Sequence, residues 1–184
     1  MNADNDAFDA FDDGIDAEVL LLSVDPVEPR AETRRALLQC IAGPWYWPFV
    51  RRVAALCEVS TEVARGLLSG IDDAARWMLG PAAGVQAFHI DAGAGLDDAI
   101  VGFIRLAPGA VFPEHTHVGG EDVLVLQGGF IVNGVEVKAG CEAPMAAGTQ
   151  HEVRAGAEGC LYLGIVRGGM DFGAGPVGPE DPRL

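Results

Sequence analysis

The chain has 184 residues, 49% hydrophobic and 21% charged, which is enough apolar matter for a buried core and excludes global disorder. No stretch approaches the ~20 uninterrupted apolar residues of a membrane-spanning helix. A net charge of −15 and a pI near 4.4 make nucleic acid and anionic membranes poor partners.

Residues 1–30 form an acidic arm. Ten acids fall within residues 1–32, against the single Arg30, so the expectation is a solvated, partly disordered segment, disordered over about residues 1–16. The opening residues carry no positive n-region, so no signal peptide is read and a cytoplasmic location is expected. Residues 31–80 read as a helical lobe. Ala36, Leu37, Cys40 and Ile41 share a helical spacing that Gly43-Pro44 stops. An aromatic turn follows, Trp45-Tyr46-Trp47-Pro48, expected to pack this layer onto its neighbour. A second helix carries Phe49, Val50, Val53, Leu56 and Cys57 on one face. Ser60 is the expected N-cap of a third, with Val63, Ala64, Leu67 and Leu68 inward and Gly70 at its end. A short helical turn is expected from Asp72 to Met78.

From about residue 84 the period changes from 3.6 to 2. Val85–Ile90, Ala99–Leu106, Asp122–Leu126, Phe130–Val137, His151–Ala155 and Cys160–Arg167 are strand-like runs broken by Gly, Pro or Asn-Gly. Asn133-Gly134 predicts a type I′ hairpin turn. Short strands without intervening helices indicate an antiparallel sandwich or barrel over residues 81–170. Its interior is expected from Phe103, Ile104, Val111, Phe112, Val123, Val125, Ile131, Val153, Leu161 and Leu163, divided by parity. Residues 171–184 are rich in Gly and Pro and read as an irregular tail. The four cysteines (Cys40, Cys57, Cys141 and Cys160) contain no C-x-x-C and are expected to be reduced and mostly buried.

The chemistry concentrates in one stretch. His115 and His117 stand two apart, so on a strand they face the same side. Glu121 follows, and His151 lies on a later strand that a meander can bring back beside the first. Three imidazoles and one carboxylate suit a divalent transition metal, and the metal compensates the buried carboxylate. Without metal, Glu121 would need protonation or a histidine partner. His89, Gln127, Cys141, Gln150 and Tyr162 are candidates for the pocket or for supporting the ligands. His89 is read as an edge or core histidine, with a general base at the barrel mouth as the alternative. Glu114 should point away from the metal. No catalytic residue is assigned.

These residues resemble the cupin superfamily. Gly109, His115, His117, Glu121 and Gly128 match every fixed position of its first motif, G-x5-H-x-H-x3-4-E-x6-G. Gly140, Gly148 and His151 match the second, with Ala146 and Ala155 where proline and asparagine are usual. The resemblance implies a double-stranded β-helix, or jelly-roll barrel, with His115, His117, Glu121 and His151 as metal ligands. Ala107-Pro108-Gly109-Ala110, Pro113, Gly119-Gly120-Glu121, Leu124-Val125-Leu126 and Gly159-Cys160 look like the cupin lobe of ChrR-type anti-sigma factors, which binds zinc and follows a helical lobe that holds the sigma factor. That helical lobe carries its own zinc pattern, H-x3-C-x2-C. Residues 1–80 here contain no histidine, so the pattern is absent and only the barrel is carried over.

The resemblance implies one divalent metal per chain. Zinc is favoured, and iron, manganese and nickel are compatible with the donors. The leading expectation is a sensory or regulatory metal cupin that responds to its metal or to a small-molecule ligand and meets a protein partner through the helical lobe. Its alternatives are an iron- or manganese-dependent dioxygenase acting on a small chelating substrate, and a dimerisation barrel stapled by metal. A homodimer is expected under all three.

Overall fold

Periodicity organises the chain as residues 28–179 and 181, the part described by this computed structural model. The acidic arm expected over residues 1–30 falls almost entirely outside the described residues, as does the end of the tail. The chain divides into two units after Ala42, each taken by itself. Of the first, helix α1 (Ala31–Ala42) is described; it has Glu32 in its first turn and Leu37 and Leu38 exposed. No described helix is long and apolar enough to cross a membrane.

The second unit opens on a helical layer. Trp45 and Tyr46 meet edge-on, and Pro48 enters a 3₁₀ turn over Trp47–Phe49. Helix α2 (Val50–Leu56) buries Val50, Val53 and Ala54. Glu58, with φ of 55°, turns the chain, and its carboxylate accepts a hydrogen bond from the Gly95 amide. Ser60 caps helix α3 (Thr61–Ser69) by accepting from the Val63 amide, as its place in the sequence predicts. Ala64 and Leu68 are buried, whereas Val63 is 48% exposed. The helical turn expected over Asp72–Met78 is two 3₁₀ turns instead, Gly70–Asp72 and Ala74–Arg76. Asp73 between them takes an extended conformation and caps the Ala75 amide, which restarts the chain.

Ten antiparallel strands then curl into one sheet, a half-barrel. They are β1 (Met78–Leu79), β2 (Val85–His89), β3 (Ala99–Leu106), β4 (Val111–His117), β5 (Gly120–Val132), β6 (Val135–Lys138), β7 (Met145–Ala146), β8 (Gln150–Arg167), β9 (Met170–Asp171) and β10 (Pro176–Val177). Asn133 and Gly134 both have positive φ, the requirement of the predicted hairpin turn. The runs His151–Ala155 and Cys160–Arg167 are one strand, β8. It pairs with β4 through its first part, with β3 through its second, and with β5 along most of its length. Glycines permit this: a side chain on Gly128 would strike the Gly159 carbonyl. The tail read as irregular supplies β9 and β10, and β9 pairs with β4 beside His117.

Parity sorts the apolar residues into two cores. Phe88, Phe103, Leu163 and Leu124 align across β2, β3, β8 and β5, on the face that packs with Val53, Cys57, Ala64 and Leu68 of the helical layer. The next row, Ala87, Ile104, Tyr162 and Val125, faces the hollow of the sheet. Phe103, Leu161 and Leu163, expected inside the barrel, therefore lie under the helices, and Ile131 is 42% exposed. Each fully buried Phe or Leu in these rows stabilises the fold by roughly 2 kcal/mol.

Candidate metal centre

Pairing of β4 with β8 sets His115 directly opposite His151. His117 lies two residues on, and Glu121 is the second residue of β5, opposite Val166 of β8. The four side chains are buried, with relative exposures of 3% for His115, 1% for His117, 9% for Glu121 and 4% for His151. One ligand atom from each lies within 4.8 Å of the others. His117 Nε2 is 3.3 Å from His151 Nε2 and 3.6 Å from Glu121 Oε2. Two nitrogens bound to one zinc at ~2.1 Å and the tetrahedral angle stand ~3.4 Å apart, so these separations match edges of a coordination shell.

The tautomers agree with this use. The Pro113 carbonyl can only accept, so His115 Nδ1–H donates to it at 2.8 Å and leaves Nε2 as a free lone pair. Among the described residues, Nδ1 of His117 and of His151 is buried without a partner, and the two rings make polar contact with each other only through their Nε2 atoms. Phe112 and Phe172 pack against the His115 ring, at 5.1 and 5.8 Å between centroids.

Electrostatics point the same way. Burial pulls the His117 and His151 imidazoles down to about 4, helped by repulsion from the neighbouring rings. Burial also lowers His115, partly opposed by its bond to Pro113. Glu121 is pushed up to about 8, first by burial and then by the charge of Asp122, which itself pairs with Arg167 at 2.7 Å. The contact between His117 and Glu121 is then a neutral one near pH 7, not an ion pair. Three buried neutral imidazoles and one protonated acid form a set that fits a divalent cation.

Of the other candidates, the structure brings Tyr162 and His89 to the cavity. Tyr162 is fully enclosed, and burial raises its phenol well above the ordinary value, with Glu121 and Cys160 adding to this. Gln127 lies on the outer surface, Cys141 is exposed in the turn after β6, and Gln150 is exposed and donates to Glu114 at 3.1 Å. Cys57 and Cys160 are buried, and burial pushes their thiols up to about 11 and about 12.

Sequence reasoning missed Gly164. A Cβ there would lie 3.2 Å from Glu121 Oε1, so the bare backbone leaves the space in which the carboxylate sits. Only strand register reveals this, because Gly164 is remote from Glu121 in sequence. Gly164→Ala should push the carboxylate aside and weaken zinc binding about tenfold, with the melting temperature of the chelator-treated chain unchanged. A titration of zinc against a competing chromophoric chelator checks it.

A curled antiparallel sheet with three histidines and a glutamate converging in its hollow defines a cupin. The sequence pattern of the ChrR cupin-like domain matches residues 70–167, just over half of the chain, and the chain belongs to that family. No curated protein matches it in sequence. Among solved structures it is similar to a chain in the complex of Rhodobacter sphaeroides SigE with the anti-sigma ChrR, at 21% identity and a TM-score of 0.52. That match covers 82% of this chain and 74% of the other. It is also similar to an acetylacetone dioxygenase from Acinetobacter johnsonii, at 14% identity and a TM-score of 0.53, covering 59% of this chain and 83% of that one. Both likenesses are of fold.

Proposed function

We propose that this chain is a metal-binding cupin with a regulatory or sensory role, in which His115, His117, Glu121 and His151 hold one divalent cation. When bound, the cation supplies positive charge that compensates the Glu121 carboxylate and ties β4, β5 and β8 together. The observation that carries the regulatory reading over a catalytic one is the size of the hollow. The cavity beside the four donors holds about 40 Å³ and is lined chiefly by apolar side chains such as Phe112, Val123, Phe130 and Met170. One buried water takes ~10–15 Å³ on this measure, so a cation and a few waters fill the space and a chelating organic substrate does not.

Membership of the ChrR cupin-like family and the likeness to the SigE–ChrR complex support a protein partner. In the second unit Trp47, at 40% exposure, offers apolar surface to such a partner; in the first, Leu37 and Leu38 of α1 are exposed. The chain is also read as a homodimer. Leu79 of edge strand β1 is 87% exposed beside a backbone edge that, among the described residues, pairs with β2 alone. Sedimentation should give twice the chain mass, and Leu79→Lys should return it to one.

The catalytic alternative, an iron- or manganese-dependent dioxygenase, is separated by an oxygen electrode. The chain loaded with iron(II), and separately with manganese(II), should consume no dioxygen above buffer when acetylacetone or catechol is added. Sustained, substrate-dependent uptake would overturn the regulatory reading.

A further inference from the structure

The buried donors must receive their cation from outside, and the sheet marks where the wall is thin. Three rows of the inner face cross β3, β8 and β5 in succession. Ile104, Tyr162 and Val125 form the first, Gly102, Gly164 and Val123 the second, and Ile100, Val166 and Glu121 the third. The middle row has two adjacent glycines, both in the lining of the inner cavity; the Glu121 carboxylate sits over Gly164, and the backbone of Phe88 and His89 lies against Gly102. Strand β2 continues this row with His89, opposite Gly102. The lining of the inner cavity therefore runs along this row from the Glu121 carboxylate to His89.

Outside the sheet lies a second depression, a groove of about 410 Å³. His89 and Ile100 belong to its lining and also to the lining of the inner cavity. They stand between the two. His89 is exposed, whereas Ile100 is 8% exposed. The groove also contains Asp91 and Asp97, neither of which has an ion-pair partner among the described residues. Uncompensated carboxylates in a concave surface of a chain with net charge −15 raise the local concentration of divalent cations.

We infer that His89 and Ile100 form the gate through which a divalent cation passes between the acidic groove and the buried donors. This rests on the reading of His115, His117, Glu121 and His151 as the metal centre. The His89 ring and the Ile100 side chain close the end of the glycine row. Rotation of either side chain opens it, without movement of the sheet. Neither residue is a ligand, so the gate sets the rate of exchange and leaves the affinity alone.

The test is stopped-flow exchange of zinc on the full chain. Release is followed into excess chromophoric chelator, uptake from free zinc, and affinity by competition at equilibrium. His89→Ala and Ile100→Ala should each speed uptake and release by the same factor, about tenfold, because a lowered barrier acts on both directions equally. His89→Trp should slow both. The dissociation constant should stay at the wild-type value throughout. Two positions on separate strands, one of them exposed, guard against a single variant that fails to fold. Wild-type rates in a loaded His89→Ala and a loaded Ile100→Ala overturn the gate alone. A changed dissociation constant with unchanged uptake also overturns it, since it makes these residues part of the binding shell. A wild-type chain that takes up no zinc overturns the metal reading, and the gate with it.

Discussion

His151→Ala should abolish stoichiometric metal binding, and His115→Ala should do the same. The two rings face each other across β4 and β8, so either loss removes one of the four donors and leaves an open face. The consequences then compound. With His151 gone, Nε2 of His117 loses its neighbour at 3.3 Å, and the remaining histidines and Glu121 no longer close the coordination shell on that side. Each lost ligand weakens a site of this kind by several orders of magnitude, because the remaining donors must bind the cation with water in the missing position. Elemental analysis of the purified variants should find metal at background. Full retention in either variant would remove that residue from the ligand set. His115→Ala carries a further prediction: it also frees the Pro113 carbonyl and the face of Phe112, so its loss of stability should exceed that of His151→Ala.

The second large effect is a pH dependence that metal reverses. In the metal-free chain Glu121 titrates in the folded state at about 8, above its ordinary 4.5, because burial disfavours the charged form. A carboxyl whose folded value is raised is a source of instability that grows as pH rises from about 4.5 and is complete above about 8. The full shift corresponds to on the order of 5 kcal/mol. His117 and His151 act on the acid side. Their folded values are lowered from 6.5 to about 4, so stability falls as pH drops from about 6.5 towards 4. The chelator-treated chain should therefore melt highest near neutral pH and lower on both sides. Zinc should abolish the alkaline fall, because the cation holds the carboxylate charged. Glu121→Gln should also abolish it without metal, and should make the metal-free variant more stable than metal-free wild type at pH 9. Melting curves across pH 5–9, with and without zinc, read all of this. An alkaline fall of equal size in Glu121→Gln would assign it to another group.

The shared face of His115 and His117 was legible in the sequence because the strand period is two and H-x-H needs nothing else. His151 required the later strand to return beside the first, which the Asn133-Gly134 turn made readable. The pocket's other residues were not. Counting by twos from Val123 and Val125 puts Gln127 in the hollow, but a register shift between Val125 and Gln127 moves it to the outer surface. The same shift, with a second one after Gly128, brings Phe130 inside. The partition of the core was hidden for a different reason. Both faces of β3, β5 and β8 are covered, one by helices and one by the curl of the sheet, so those strands lack the alternation of apolar and polar residues that marks a wet face. Phe103 and Ile104 look equally internal until register separates them. Phe172, against the His115 ring, stands in a stretch whose composition reads as loop; pairing of β9 with β4 and β10 is what holds it there.

The proposed role is that of a cupin carrying one divalent cation without oxidising a substrate. Its most direct test is the metal content of the untagged chain, purified without chelators and measured by elemental mass spectrometry. The expected result is about one zinc per chain, lost on His151→Ala. A chain that carries no metal and gains none from added zinc contradicts the metal centre. About one iron or manganese per chain, with dioxygen uptake on acetylacetone, contradicts the regulatory reading and makes the site catalytic.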